Sequence, residues 1–354
     1  MRIEHLVITR FSFRGDAFKK RNVPDPLNPS NLELRFKLFE ITCLPSILAQ
    51  TNRNFGWVLI TDKDLRADLK ERLGKLVGDK KRVYLHEYDP SENLANLDWL
   101  EQFLVGTPDY VLTTNVDDDD AIPEDFVSAL QSHLFEVERM GRLPPFKIIG
   151  TRRIVQWDLI TSRKAPLGWK CPWHRGQYVT NLGCSLLCQY PKYNFSVLGM
   201  VHVYAENYFD WSAPPANDGV RTYREAFGMT AESNNEDIYV WSKEDTFYDM
   251  SKDVGPVLVT NHFRNVQVWR LYEKKSDYEK VVGPETFPDI AVDWSRAHVY
   301  AGYFNKRKLL ICTLPKIFVQ CKRFMVGIVR KLERSVKRFG KKIWKNLILC
   351  KTYL

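Results

Sequence analysis

The stretch Asp109–Leu130, DYVLTTNVDDDDAIPEDFVSAL, decides the reading of this chain. Tyr110–Val116 is apolar and β-branched, the composition of a strand covered on both faces. It runs directly into four acids, Asp117–Asp120. Pro123 then opens a helical pattern, with Phe126, Leu130 and Leu134 on one face. Four consecutive carboxylates repel one another, so the run needs a neutralising partner. One reading is a solvated acidic turn capping the Pro123 helix, because carboxylates favour helix N-termini. The other is a cation site. Alternate carboxylates such as Asp117 and Asp119 converge on one hard divalent ion, Mg2+ or Mn2+, which prefers oxygen ligands and bridges carboxylate to phosphate oxygens.

Working outward, the flanking segments alternate strand and helix. Glu4–Thr9, Phe55–Thr61, Arg82–Glu87 and Ile148–Gly150 read as strands. Leu32–Gln50, Leu65–Leu76 and Leu94–Leu104 read as helices, the first interrupted at Pro45. Asp16–Asn31, with Pro24, Pro26 and Pro29, reads as a long loop. This alternation predicts an α/β open sheet with largely parallel strands, whose ligands bind at the carboxyl ends of the strands. The acidic run lies at such an end, as do Thr9, Arg10 and Asp62. Residues 151–304 are richer in Trp, Tyr, Pro, Asn and Gly. They are expected to complete the same domain and to shape an acceptor half beside the nucleotide-sugar half at 1–150.

The bulk numbers narrow the class. The chain has 354 residues and is 44% hydrophobic, enough for a sizeable core. Seven scattered cysteines argue against a disulfide framework and for a reducing compartment. Cys171, His174, Cys184 and Cys188 are too irregularly spaced for a structural zinc site and read as ordinary buried residues. The opening MRIEHLVITRF lacks the features of a secretory signal, and no apolar run is long enough to span a bilayer.

The net charge of +9 conceals an asymmetry. Residues 305–354 hold 15 Lys/Arg and one acid, Glu333, a charge of +14, while the remaining 37 bases and 42 acids give −5. Apolar residues in that tail recur at helical spacing. Three readings compete: a helix packed on the body, a basic amphipathic helix on an anionic membrane surface, and a nucleic-acid contact. The charge exceeds what packing needs, and no nucleic-acid motif is visible, which favours the membrane.

Two stretches carry a family resemblance. LPSILAQTNRNFGWVLITDKD (Leu44–Asp64) and DYVLTTNVDDDDAIPEDFVSAL resemble family-2 GT-A glycosyltransferases. With TRFSFR (Thr9–Arg14) the pattern is most similar to a bacterial family of rhamnosyltransferases, clear over residues 3–135 and looser to about residue 275. The resemblance implies a GT-A, Rossmann-like fold and metal-dependent, inverting transfer of a sugar from a nucleotide-diphosphate donor to a glycan or lipid-linked acceptor in surface-polysaccharide synthesis. It implies Asp117 and Asp119 as the Asp-x-Asp pair, with Asp119 the direct metal ligand, Asp120 beside it and Asp118 in the variable middle position. An acid in that middle position departs from the usual pattern. Thr9, Arg10 and Asp62 fall where such enzymes contact the nucleoside, and Asp89 is a further candidate. Turn chemistry at strand ends explains Thr9 and Asp62 equally well.

SNNEDIYVW (Ser233–Trp241) offers a base for the acceptor hydroxyl. Glu236 and Asp237 read as first-turn acids of a capped helix. The resemblance implies Asp237 as base, with Glu236 second. In TNHFRN (Thr260–Asn265), His262 is a candidate metal or diphosphate ligand and Arg264 a candidate diphosphate partner, though a lone histidine is more often structural. Trp157, Trp169, Trp173 and Trp211 are candidates for stacking on sugar rings, although most tryptophans are core. The rival functions are a nucleotidyltransferase-type metal enzyme, disfavoured because no Gly-rich loop follows strand one, and a non-catalytic membrane-associated scaffold. A cytoplasmic enzyme, peripheral at the inner face of the plasma membrane, is the expectation.

Overall fold

The computed structural model describes residues 1–14, 25–78, 80–89, 91–158, 167–171, 182–199, 243–261, 279–282, 287 and 289–296. All of these belong to one compact unit, Met1–Gly302. Glu236, Asp237, His262, Arg264, Trp173, Trp211 and the basic tail lie outside the described residues.

A seven-stranded sheet organises the unit, in the order β3-β2-β1-β4-β8-β5-β9. Its strands are β1 (Ile3–Phe11), β2 (Gly56–Asp62), β3 (Val83–Tyr88), β4 (Tyr110–Asn115), β5 (Phe146–Gly150), β8 (Ser185–Gln189) and β9 (Phe247–Asp249). β8 runs antiparallel to both β4 and β5. The β1–β2, β1–β4, β2–β3 and β5–β9 pairings are parallel. The fold is thus the expected α/β type, with a largely parallel sheet. A second sheet, ordered β10-β6-β7-β11, contains β6 (Ile154–Asp158), β7 (Leu167–Cys171), β10 (Val257–Asn261) and β11 (Glu279–Val282).

The central strands are apolar because both faces are covered. With period two, Val7, Trp57 and Leu59 face one core, and Leu6, Ile8, Val58 and Ile60 face the other. The first core is closed by α1 (Pro29–Ile41), α2 (Cys43–Leu48), α3 (Ala67–Val77) and α4 (Phe126–Arg139). α4 buries Phe126, Val127, Leu130, Leu134 and Val137, the stripe its spacing demands. The second core takes Trp99, Leu100 and Phe103 from a 3-10 turn at Asp98–Phe103, with Phe146 and Phe195. Cys184 and Cys188 are buried in that core, and burial pushes both thiols up to about 12. They behave as small apolar residues.

Three local expectations are corrected. The first helix begins at Pro29, capped by the Asn28 side chain accepting from Ser30 N, so the loop reading ran too far. It ends at Thr42 rather than at Pro45. The Thr42 hydroxyl donates to the Leu38 carbonyl at 2.6 Å. Pro45 then sits in the first turn of α2, where its missing N–H costs nothing. The helix expected over Leu94–Leu104 is only the 3-10 turn. Upstream, the Asn93 carboxamide takes the Ala95 N–H at 3.1 Å, and the distant Asn194 takes that of Leu97 at 2.6 Å, so side-chain acceptors, one local and one tertiary, replace a helical ladder.

Candidate functional site

The sheet places the acidic run at a topological switch point. β1 pairs with β2 on one side and β4 on the other, so the strand order reverses there. Pairing holds through Ile8 opposite Asn115, and Val116 N still donates to the Ile8 carbonyl. Beyond that point the two chains face each other with side chains. Arg10 Nη2 reaches Asp117 Oδ1 at 3.1 Å. The Ser12 backbone N–H donates to Asp118 Oδ2 at 2.9 Å. Arg14 N donates to Asp62 Oδ2 at 3.2 Å. One short segment leaving β1 therefore links Asp62, Asp117 and Asp118.

Ser12 makes this possible by adopting φ +47°, a left-handed conformation unusual for a residue with a Cβ. Its hydroxyl is buried and has no hydrogen-bond partner among the described residues.

The run itself curls into a turn, with Asp120 N donating to the Asp117 carbonyl at 3.2 Å. Asp118, Asp119 and Asp120 are buried, while Asp117 is on the rim. Arg35, from α1, enters from the helical side. Its Nη1 lies 2.6 Å from Asp118 Oδ1 and 2.8 Å from Asp119 Oδ2. The far end of the run is held by β10. Ala121 and Leu258 exchange backbone hydrogen bonds. Thr260 N donates to Asp120 Oδ1 at 2.9 Å, and the Thr260 hydroxyl donates to the Asp119 carbonyl at 2.6 Å.

The electrostatics follow from this enclosure. Burial, then the neighbouring acids, push Asp118 up to about 7, against the pull of Arg35. Burial, with Asp119 and Asp117 adding to it, also raises Asp120 well above the carboxylate range. Burial works against the charge on Arg35, but the surrounding carboxylates outweigh it and hold the guanidinium protonated. Among the described residues, Arg10 and Arg35 bring guanidinium groups to the run.

Of the residues singled out by sequence, Arg10, Asp62, Asp117, Asp119 and Asp120 come together here. The Thr9 side chain points into the core, where its hydroxyl accepts from Trp57 Nε1 at 3.0 Å. Asp89 is exposed beyond β3, and its carboxylate takes the Ser91 N–H at 2.8 Å. Trp157 is core, packed edge-on against Trp294.

Arg35, Ser12 and Thr260 were not anticipated. Four adjacent acids announce that a cation must be near, but nothing local says that it comes from a helix 83 residues upstream. Among the described residues, no three His, Cys, Asp or Glu side chains are already gathered as a metal cage.

Residues 4–146 match the model of the family described as "Putative rhamnosyl transferase". No curated protein sequence matches the chain. Among solved structures, Staphylococcus aureus TarS 1-349 in complex with UDP-GlcNAc is similar at 15% identity, over 43% of this chain and 34% of that one, with a TM-score of 0.25. A further structure of TarS 1-349 is similar at 14% identity over 77% of this chain and 64% of that one, with a TM-score of 0.31. A structure from Desulfovibrio desulfuricans G20, described as a putative nucleotide-diphospho-sugar transferase, is similar at 11% identity over 84% and 93%, again with a TM-score of 0.31. The chain thus spans about a third of the first of these structures and under two thirds of the second.

Proposed function

We propose that this chain transfers a sugar from a nucleotide-diphosphate donor to a glycan or lipid-linked acceptor. The observation that carries the reading is the buried acidic run at the carboxyl end of β4, faced by Arg10, inside a stretch that matches a rhamnosyl transferase family. Nucleotide ligands of open α/β sheets bind at this position.

The residues suit a hard divalent cation. Every side-chain donor in the run is a carboxylate oxygen, and the Ser12 hydroxyl beside it is buried and has no partner among the described residues. Asp119, with Asp117 and Asp120, would hold Mg2+ or Mn2+. The bound ion would supply Lewis-acid neutralisation of the diphosphate leaving group. Arg10, partly exposed on the rim, is placed to meet donor phosphate once Asp117 releases it. Asp62 fixes the segment after β1 against which the nucleoside would lie. Thr260 keeps Asp119 and Asp120 in register with β10, the strand that leads into His262 and Arg264. By family likeness Asp237, or Glu236, takes the proton of the acceptor hydroxyl. That oxygen bonds to the anomeric carbon as the bond to the diphosphate oxygen breaks, inverting the centre.

The test is a panel of nucleotide sugars incubated with the protein and Mn2+, with products separated by chromatography. Release of nucleoside diphosphate, abolished by Asp119→Ala, is the expected result. Release of pyrophosphate would instead indicate nucleotidyl transfer, and turnover undiminished in Asp119→Ala would remove the acidic run from the reaction.

The +14 tail fits a role in holding the enzyme at an anionic, cytoplasmic membrane surface where surface polysaccharide precursors are assembled.

A further inference from the structure

The geometry points to Arg35 as a resident counter-cation of the acidic run, one that a divalent ion must displace in order to bind. This rests on the cation reading above and adds to it a competitor inside the chain. A single nitrogen, Nη1, stands between Asp118 Oδ1 at 2.6 Å and Asp119 Oδ2 at 2.8 Å. Both carboxylates are almost fully buried, at 4% and 8% side-chain exposure, so water screens the contact little. Arg10 differs: it touches Asp117 alone, and both of those side chains are about one-third exposed.

A hard ion that binds Asp119 through Oδ2 takes that oxygen at roughly 2.1 Å. It cannot share that oxygen with a guanidinium at hydrogen-bond distance without strong like-charge repulsion. Arg35 and the ion are therefore mutually exclusive partners of Asp119 Oδ2. The Arg35 side chain is 27% exposed and thus has a way out toward solvent. Its departure leaves Asp119 Oδ2 to the ion. Without an ion, Arg35 holds the adjacent Asp118 and Asp119 carboxylates together. Arg35 is on this account a positioning residue, which sets the metal affinity through the carboxylates it holds.

The experiment measures Mn2+ binding by electron paramagnetic resonance on the full chain, as wild type, Arg35→Gln and Arg35→Lys, with thermal unfolding recorded with and without Mn2+. Arg35→Gln keeps a hydrogen-bonding group and removes the charge. It is expected to bind Mn2+ at least tenfold more tightly than wild type, to melt lower without the ion, and to gain more from its addition. Arg35→Lys keeps the charge and is expected to bind within about threefold of wild type.

A second measurement needs no variant. Phenylglyoxal modification of Arg35, followed by peptide mass mapping, is expected to run faster when Mn2+ is present. It decides the matter if Arg35→Gln does not fold. Wild type binding Mn2+ with Arg35→Gln equal or weaker overturns the inference and leaves the cation site standing. So does equal tightening in Gln and Lys, or slower or unchanged modification with Mn2+. No Mn2+ binding by any of the three proteins overturns both.

Discussion

Replacing Thr260 by valine tests whether β10 holds the acidic run or merely lies beside it. The Thr260 hydroxyl donates to the Asp119 carbonyl at 2.6 Å in a fully buried position. Valine matches threonine in shape, so the change removes this donor with little effect on packing. Depriving a buried carbonyl of a hydrogen bond costs about 1–3 kcal/mol. The methyl that replaces the hydroxyl returns up to roughly 0.8 kcal/mol by burial. The net expectation is a loss of about 0.2–2 kcal/mol in urea unfolding, with unchanged m-value. Thr260→Ser is the control: it keeps the donor and loses a methyl. The Thr260 N–H to Asp120 survives in both. Stability alone does not separate the two variants, because a deleted methyl also costs on the order of 1 kcal/mol. Function does. Metal-dependent nucleotide-sugar hydrolysis should fall severalfold in the valine variant and stay near wild type in the serine variant. Equal activity in the two, or a valine variant more stable than wild type, would show that the hydrogen bond does not set the position of Asp119.

Other outcomes follow from single sites. Gly183 precedes β8 at φ +72°, and a Cβ there would lie 2.8 Å from Phe126 Cζ. Gly183→Ala should therefore lose roughly 2–4 kcal/mol in urea unfolding, from left-handed strain plus overpacking. Phe126→Leu in the same chain should recover part of it, and a cost within error of zero would refute the contact. His5 is buried, with Nε2 2.9 Å from Thr114 Oγ1 and Nδ1 3.1 Å from Gln131 Nε2. Burial, with Arg82 adding to it, holds its imidazole down at about 3. The neutral ring is favoured in the fold, so its stabilisation is complete above the unfolded value of about 6.5 and is lost as pH falls toward 3. Its share of the acid-side slope approaches about 1.4 kcal/mol per pH unit, and His5→Gln should flatten the dependence by up to that amount. Parallel slopes would sink the assignment. Removing residues 305–354 should abolish cosedimentation with vesicles containing anionic phosphatidylserine or phosphatidylglycerol, and retention of binding would place the contact on the body.

The parts of the fold that the sequence made legible are those where local pattern and final environment agree. β1, β2 and β4 are apolar on both faces because a packed core covers each side, and that leaves a signature in six or seven residues. α4 shows its stripe because only one face is buried. β8 left no such mark. SLLCQ is five residues long, lies in a region of mixed composition, and owes its place to β4 and β5, whose edges it joins.

The site divides in the same way. The acids, Arg10 and Asp62 were visible as polar residues at strand ends. Arg35 was hidden among the apolar residues of α1, and Thr260 in what read as an ordinary strand. Their roles depend on contacts spanning 83 and 141 residues of chain. Ser12 gave no signal, because left-handed backbone is expected of glycine or asparagine and not of serine.

The insertion of β8 between β4 and β5 has a consequence for synthesis. A chain growing from its N-terminus presents β1 to β5 well before β8 exists, so β4 keeps an unpaired edge until residues 185–189 emerge. Until β10 arrives some seventy residues later, the acidic run also lacks its hold on Thr260. An exposed apolar edge on a nascent chain invites pairing with its neighbours. Fragments that stop near residue 150, a boundary composition alone would recommend for expression, should for that reason aggregate, whereas those carried past β10 should remain soluble.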